Sequence, residues 1–78
     1  MTVYLSNATG NLNNQYQAEL VAHGEQIGRV LVQTEPAAQR VLVRVGNVRH
    51  ERRYGRGARI SLDELYEFAN ECYQLAHA

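Results

Sequence analysis

The run His50-Glu51-Arg52-Arg53-Tyr54 gathers the side-chain types that phosphodiester cleavage uses: an imidazole and a carboxylate to move protons, guanidinium groups to hold a phosphate, and a phenol beside them. A ribonuclease of the toxin type could be assembled from such a set. Spacing argues against it, because neighbours on an extended strand point to opposite faces, so His50 and Glu51 would not share a site. The remaining chemistry-bearing residues offer less. His23, His50 and His77 are far apart, with no second histidine or cysteine at a metal-ligand spacing, and no metal is expected. Gly55-Arg56-Gly57 lacks the helix-opening glycine and the Lys-Ser/Thr pair of a phosphate loop, so no nucleotide cofactor is expected either. The single cysteine, Cys72, excludes an internal disulfide; a buried thiol is the expectation, and a disulfide across a dimer is the alternative. The reading is a protein without catalytic residues.

The same cluster belongs to a larger block of charge. Arg40 to Arg59 (RVLVRVGNVRHERRYGRGAR) holds seven of the eight arginines and one acid, Glu51, giving a local charge of +6 in a chain whose formal net charge is zero. The balancing acids are Glu19, Glu25 and Glu35 on one side and Asp63, Glu64, Glu67 and Glu71 on the other. Such segregation suits a protein that meets a charged partner, or one that brings its own halves together. Zero net charge argues against a dedicated nucleic-acid binder, which is usually basic overall. The first residues, MTVYLSNATG, lack the basic and apolar regions of a signal peptide, and no apolar run is long enough to span a membrane, so a cytoplasmic location is expected.

The elements that must position these arginines follow from periodicity. With 78 residues the chain makes one domain, spanning 1–78, with a small core. A short strand is expected over 2–5, followed by a polar loop, SNATGNLNN. Residues 15–34 alternate in polarity on both sides of His23-Gly24 and read as a hairpin; a helix over 14–23 ending at Gly24 is the competing reading. Pro36 breaks the strand. Residues 39–54 read as a second hairpin about Gly46-Asn47, which sets Val45 opposite Val48, Arg44 opposite Arg49, Leu42 opposite Glu51 and Arg40 opposite Arg53. Val41, Val43 and Val45 then face the core, and Arg40, Arg44, Arg49 and Arg53 form an outer face around Glu51. On the other side of the returning strand lie Val48, His50, Arg52 and Tyr54, of which only the first half is expected to be buried. Like charges opposed on a sheet destabilise it, so this face calls for a partner, or for neutralisation by the chain's own acids.

Residues 61–77 read as a helix. Ser61-Leu62-Asp63-Glu64 is a capping box, and Leu62, Leu65, Tyr66, Ala69, Cys72, Tyr73 and Ala76 follow at helical spacing, with Phe68 and Leu75 on one flank. The fold expected is α+β: a small antiparallel sheet of about four strands, made of two consecutive hairpins, packed by one C-terminal amphipathic helix.

In size, charge segregation and this sheet-and-helix architecture the chain resembles the small phage and prophage anti-CRISPR proteins, a group without a motif common to its members. The resemblance implies a stoichiometric inhibitor that docks on a CRISPR effector complex of the Cascade type and obstructs target DNA binding. The binding residues read from the sequence are Arg40, Arg44, Arg49, Arg52, Arg53, Tyr54 and Arg56, because arginine forks favour carboxylate or phosphate partners. A small nucleic-acid-binding protein using an arginine-rich β-ribbon is the alternative, and a homodimer is compatible with either.

Overall fold

Alternating valines and arginines in the middle of the chain can bury one side chain in two only if they lie on a sheet with one covered face. The computed structural model, which describes residues 3–12, 14–55 and 57–76, has this sheet: β1 (Tyr4–Gly10), β2 (Tyr16–Ala22), β3 (Glu25–Thr34), β4 (Ala38–Val45) and β5 (Val48–Gly55), followed by α1 (Leu62–Ala76). The five strands form one antiparallel meander in the order of the sequence. The α+β architecture is as expected, but the strand count is five rather than about four. Thr2, Arg56 and His77, which figure in the sequence reading, lie outside the described residues.

The additional length comes from the N-terminal segment, where residues 6–10 are strand rather than loop. A bulge between Ser6 and Thr9 accommodates the turn-prone residues, with Asn7 in the left-handed region at φ 52°. Asparagine tolerates that conformation, and its amide donates to Glu19 Oε2 at 2.6 Å, tying the bulge to β2. Polar residues are permitted here because β1 is an edge strand. Residues 16–22 are extended, not helical: Tyr16, Ala18, Leu20 and Ala22 are buried, while Gln17 between them is exposed, which is the period of a strand.

The covered face carries the core. Leu20, Val30, Val32, Val41 and Val43 meet Leu65, Phe68, Ala69 and Cys72 of the helix in one cluster that also takes in Val3 and Ile60. The helix begins where the capping box places it, with the Glu64 amide donating to Ser61 Oγ at 3.2 Å. Its buried stripe is rotated from the expected one toward Phe68, leaving Leu62 45% and Leu75 66% exposed. The N-terminal end is tied to this helix by the Val3 amide, which donates to Asn70 Oδ1 at 3.1 Å.

Burial pushes the Cys72 thiol up to about 11, and the neighbouring Glu71 charge adds to the effect. Raised above the ordinary 9.0, the thiol contributes stability that is fully present below pH 9 and is lost as pH rises through about 11. Alkylation by iodoacetamide at pH 8 is therefore expected to be slow in the folded protein and to accelerate on adding denaturant. Equal rates in both states would contradict the burial.

A basic open sheet face as the candidate site

The outer face of the sheet is the one the helix does not cover, and strand register decides what stands on it. On β4 and β5, Val45 pairs with Val48, Arg44 with Arg49, Leu42 with Glu51 and Arg40 with Arg53, the register that a Gly46-Asn47 turn dictates. On β3 and β4, Arg29 pairs with Arg44 and Leu31 with Leu42; on β2 and β3, Glu19 pairs with Arg29. Three rows result. Arg29, Arg44 and Arg49 line up across three adjacent strands, spanning about 10 Å at the usual strand spacing. Beside them run Leu31, Leu42 and Glu51, and beyond these Gln33, Arg40 and Arg53. The rows enclose an open depression of about 530 Å³ with Leu31 and Leu42 on its floor.

The two arginine rows differ in their electrostatics. Glu51 binds both Arg40 and Arg53, the latter at 3.2 Å, and Arg40 also meets Glu35 at 3.3 Å. The hydrogen bond from Arg40 holds the Glu51 carboxyl below the usual carboxylate range and raises the arginine in turn. Among the described residues, no carboxylate forms an ion pair with Arg29, Arg44 or Arg49. Arg44 instead donates to the Gly46 carbonyl at 2.9 Å, and Glu19, directly opposite Arg29 on β2, accepts from the Asn7 amide rather than from Arg29. One row is internally neutralised. The other stands as three opposed cations.

Arg52 and Tyr54, counted among the binding residues in the sequence reading, lie on the helix side of the sheet, away from Arg40, Arg44, Arg49 and Arg53, where strand parity also put them. Arg52 stacks on Phe68, 4.3 Å from the ring centroid, and pairs with Glu71 at 2.9 Å. Tyr54 is half-buried against the core. Arg52 thereby links β5 to the helix, and Tyr54 packs against the core beside it. Burial along β5 also runs opposite to expectation: Val48 is 52% exposed while Tyr54 is covered, because the helix meets β5 at Arg52 rather than beside the turn. The helix acids neutralise Arg52 and none of the outer row. Arg56 lies outside the described residues.

Arg29 is the residue that sequence reading missed. It stands alone among its neighbours, outside the basic block, and only the register of β3 against β4 brings it beside Arg44. The signal was the Pro36 turn: with Thr34 opposite Gln39, each step back along β3 matches a step forward along β4, which reaches Arg29 and Arg44 together.

The fold and this face define a class: a small α+β protein with a five-stranded meander, one side sealed by a helix and the other open, concave and basic. No family model matches the chain, and comparisons with curated proteins and with solved structures find no match either. Among the described residues, no helix is long and apolar enough to cross a membrane.

Proposed function

We propose that this chain is a non-enzymatic binding protein, a stoichiometric inhibitor or adaptor, that docks its open sheet face on an acidic protein surface. The observation that supports the reading is the row Arg29, Arg44 and Arg49, whose directly opposed members form no ion pair among the described residues, with Glu19 opposite Arg29 as the one acid in line with them. Directly opposed like charges destabilise a sheet, by amounts comparable to the roughly 0.2–1 kcal/mol that a favourable cross-strand pair contributes. A partner's carboxylates would offset that cost, each guanidinium offering a two-pronged donor. Leu31 and Leu42 add apolar floor for an anchor side chain beside the charges. The row next to Arg29, Arg44 and Arg49 does not favour single-stranded nucleic acid: it offers Leu31 and Leu42 rather than the aromatic residues on which bases stack, and its Glu51 would face the phosphates. The partner implied by the resemblance to anti-CRISPR proteins, a Cascade-type CRISPR effector complex, is the first to test.

The decisive variant is Arg44→Glu. It sets a carboxylate between Arg29 and Arg49, so the free protein is expected to gain stability, up to about 1 kcal/mol in a denaturant titration. Capture of the effector complex is expected to fall at least about tenfold, the equivalent of about 1.4 kcal/mol. Gain of stability with loss of binding cannot arise from misfolding. Undiminished capture by Arg44→Glu would sink the reading, and a salt-sensitive mobility shift of plain DNA or RNA by the wild type would move it to nucleic acid.

A further inference from the structure

The unneutralised row has a counterpart on the same molecule. Glu64, Glu67 and Glu71 are exposed on α1 and fall within about 60° of one another around the helix axis, a rise of about 10.5 Å from first to last. Arg29, Arg44 and Arg49 span two strand spacings, about 10 Å. The two lines match in length and are opposite in charge. They cannot meet within one chain, because the helix covers one side of the sheet and the arginine row stands on the other. Glu71 uses Oε2 for Arg52, and Glu64 Oε1 is near the Ser61 hydroxyl; both carboxylates remain exposed.

We propose that the occupant of the open face in the absence of a partner is the acidic face of α1 from a second copy of this chain, docked head to tail. This rests on reading the face as an anion-docking surface, and adds how that surface is occupied and regulated. The symmetric alternatives are disfavoured by charge: sheet on sheet would oppose arginine rows, and helix on helix would oppose carboxylates. A heterologous contact has no twofold axis to close it at two copies, so copies add head to tail into an open chain or a ring. Each copy brings zero net charge, so no repulsion accumulates as the assembly grows. Exposed Leu75, about 40° from Glu71 around the helix axis, and Leu31 and Leu42 on the sheet give the contact an apolar component. Self-association then hides the surface that the partner needs, and dilution or the partner itself releases it.

Sedimentation of the whole chain tests this. At ~10 mM ionic strength, where screening extends roughly 30 Å, the weight-average mass of the wild type is expected to rise with concentration past twice the 8.8 kDa monomer. At ~1 M salt, where it extends roughly 3 Å, the mass should return to that of the monomer. Two variants cap the chain: one carries Arg29→Gln, Arg44→Gln and Arg49→Gln, the other Glu64→Gln, Glu67→Gln and Glu71→Gln. Each alone should stay monomeric, and a mixture should form a complex that stops at two copies. A control with Glu25→Lys and Gln26→Lys, at exposed positions by the β2–β3 turn, has the same net charge as the helix variant and should self-associate like the wild type. A monomeric wild type at low salt, no complex on mixing, or equal loss in the control would each overturn the proposal. The helix variant keeps its basic face, so its capture of the effector complex tests the proposed function separately. Capture by a wild type that never self-associates would remove this inference and leave the docking function standing.

Discussion

Gly28→Ala is expected to remove most or all of the folded protein's stability, although it adds one methyl group. Gly28 lies on β3 opposite Val45, beside the irregularity that carries Ile27 past Leu20 and Val21. A Cβ there would stand 1.7 Å from the Arg44 carbonyl oxygen, 2.8 Å from its carbon and 3.2 Å from the Val45 Cα. All three are backbone atoms, so no rotamer change relieves the clash. Separating the strands would break the ladder between β3 and β4, both interior to the sheet. Overpacking a core with a side chain costs roughly 1–3 kcal/mol, and a backbone collision belongs at or above the top of that range. At 0.05–0.15 kcal/mol per residue, a chain of this length has about 4–12 kcal/mol in total. The unfolded-state benefit of Gly→Ala, about 0.4–1 kcal/mol, acts in the opposite direction and is too small to compensate. Thermal unfolding followed by circular dichroism checks this against Gly55→Ala, where a Cβ meets nothing within 4 Å and the backbone is not left-handed. A Gly28→Ala protein melting within a few degrees of the wild type would mean that β3 and β4 do not approach as described. The consequence reaches the site, because the same approach places Arg29 beside Arg44.

That dependence shows which parts of the site were legible in the sequence. Arg40, Arg44, Arg49 and Arg53 could be placed on one face because a two-residue turn fixes the register of a hairpin, and parity then fixes the face. The helix was legible for a similarly local reason: a capping box and a repeating apolar stripe lie within one continuous segment. Two kinds of information were not local. Which of several neighbouring strands contributes to a row depends on every turn between them, so Arg29 joined Arg44 only through the pairing of Thr34 with Gln39. How far a helix reaches across a sheet depends on packing, so the stacking of exposed Arg52 on Phe68 and its pairing with Glu71 were not legible. The bulged continuation of β1 over residues 6–10 escaped for a third reason. Its composition is that of a loop, and pairing with β2 outweighs intrinsic preference at an edge where the polar side chains stay in water.

Leu65→Ala is expected to cost about 2–5 kcal/mol, which is a large share of the total stability and enough to leave a substantial fraction unfolded at physiological temperature. Leu65 is 1% exposed, in the second turn of α1, within the cluster that contains Val41 and Val43. No second helix covers the inner face among the described residues, so the cavity left by the missing isopropyl group has only α1 to close over it. Moving α1 to do so would strain the Phe68 contact with Arg52 and the Asn70 link to Val3. Leu75→Ala, at a position 66% exposed on the same helix, should change stability by less than about 0.5 kcal/mol. Denaturant titration separates the pair, and dye binding to exposed apolar surface should rise for Leu65→Ala alone. The comparison also separates fold from function. Capture of the partner by Leu65→Ala should fall in proportion to the unfolded fraction and recover on cooling to the temperature of greatest stability, because Arg29, Arg44 and Arg49 stand on the far side of the sheet. Capture lost while the protein remains fully folded would place part of the docking surface on the helix side.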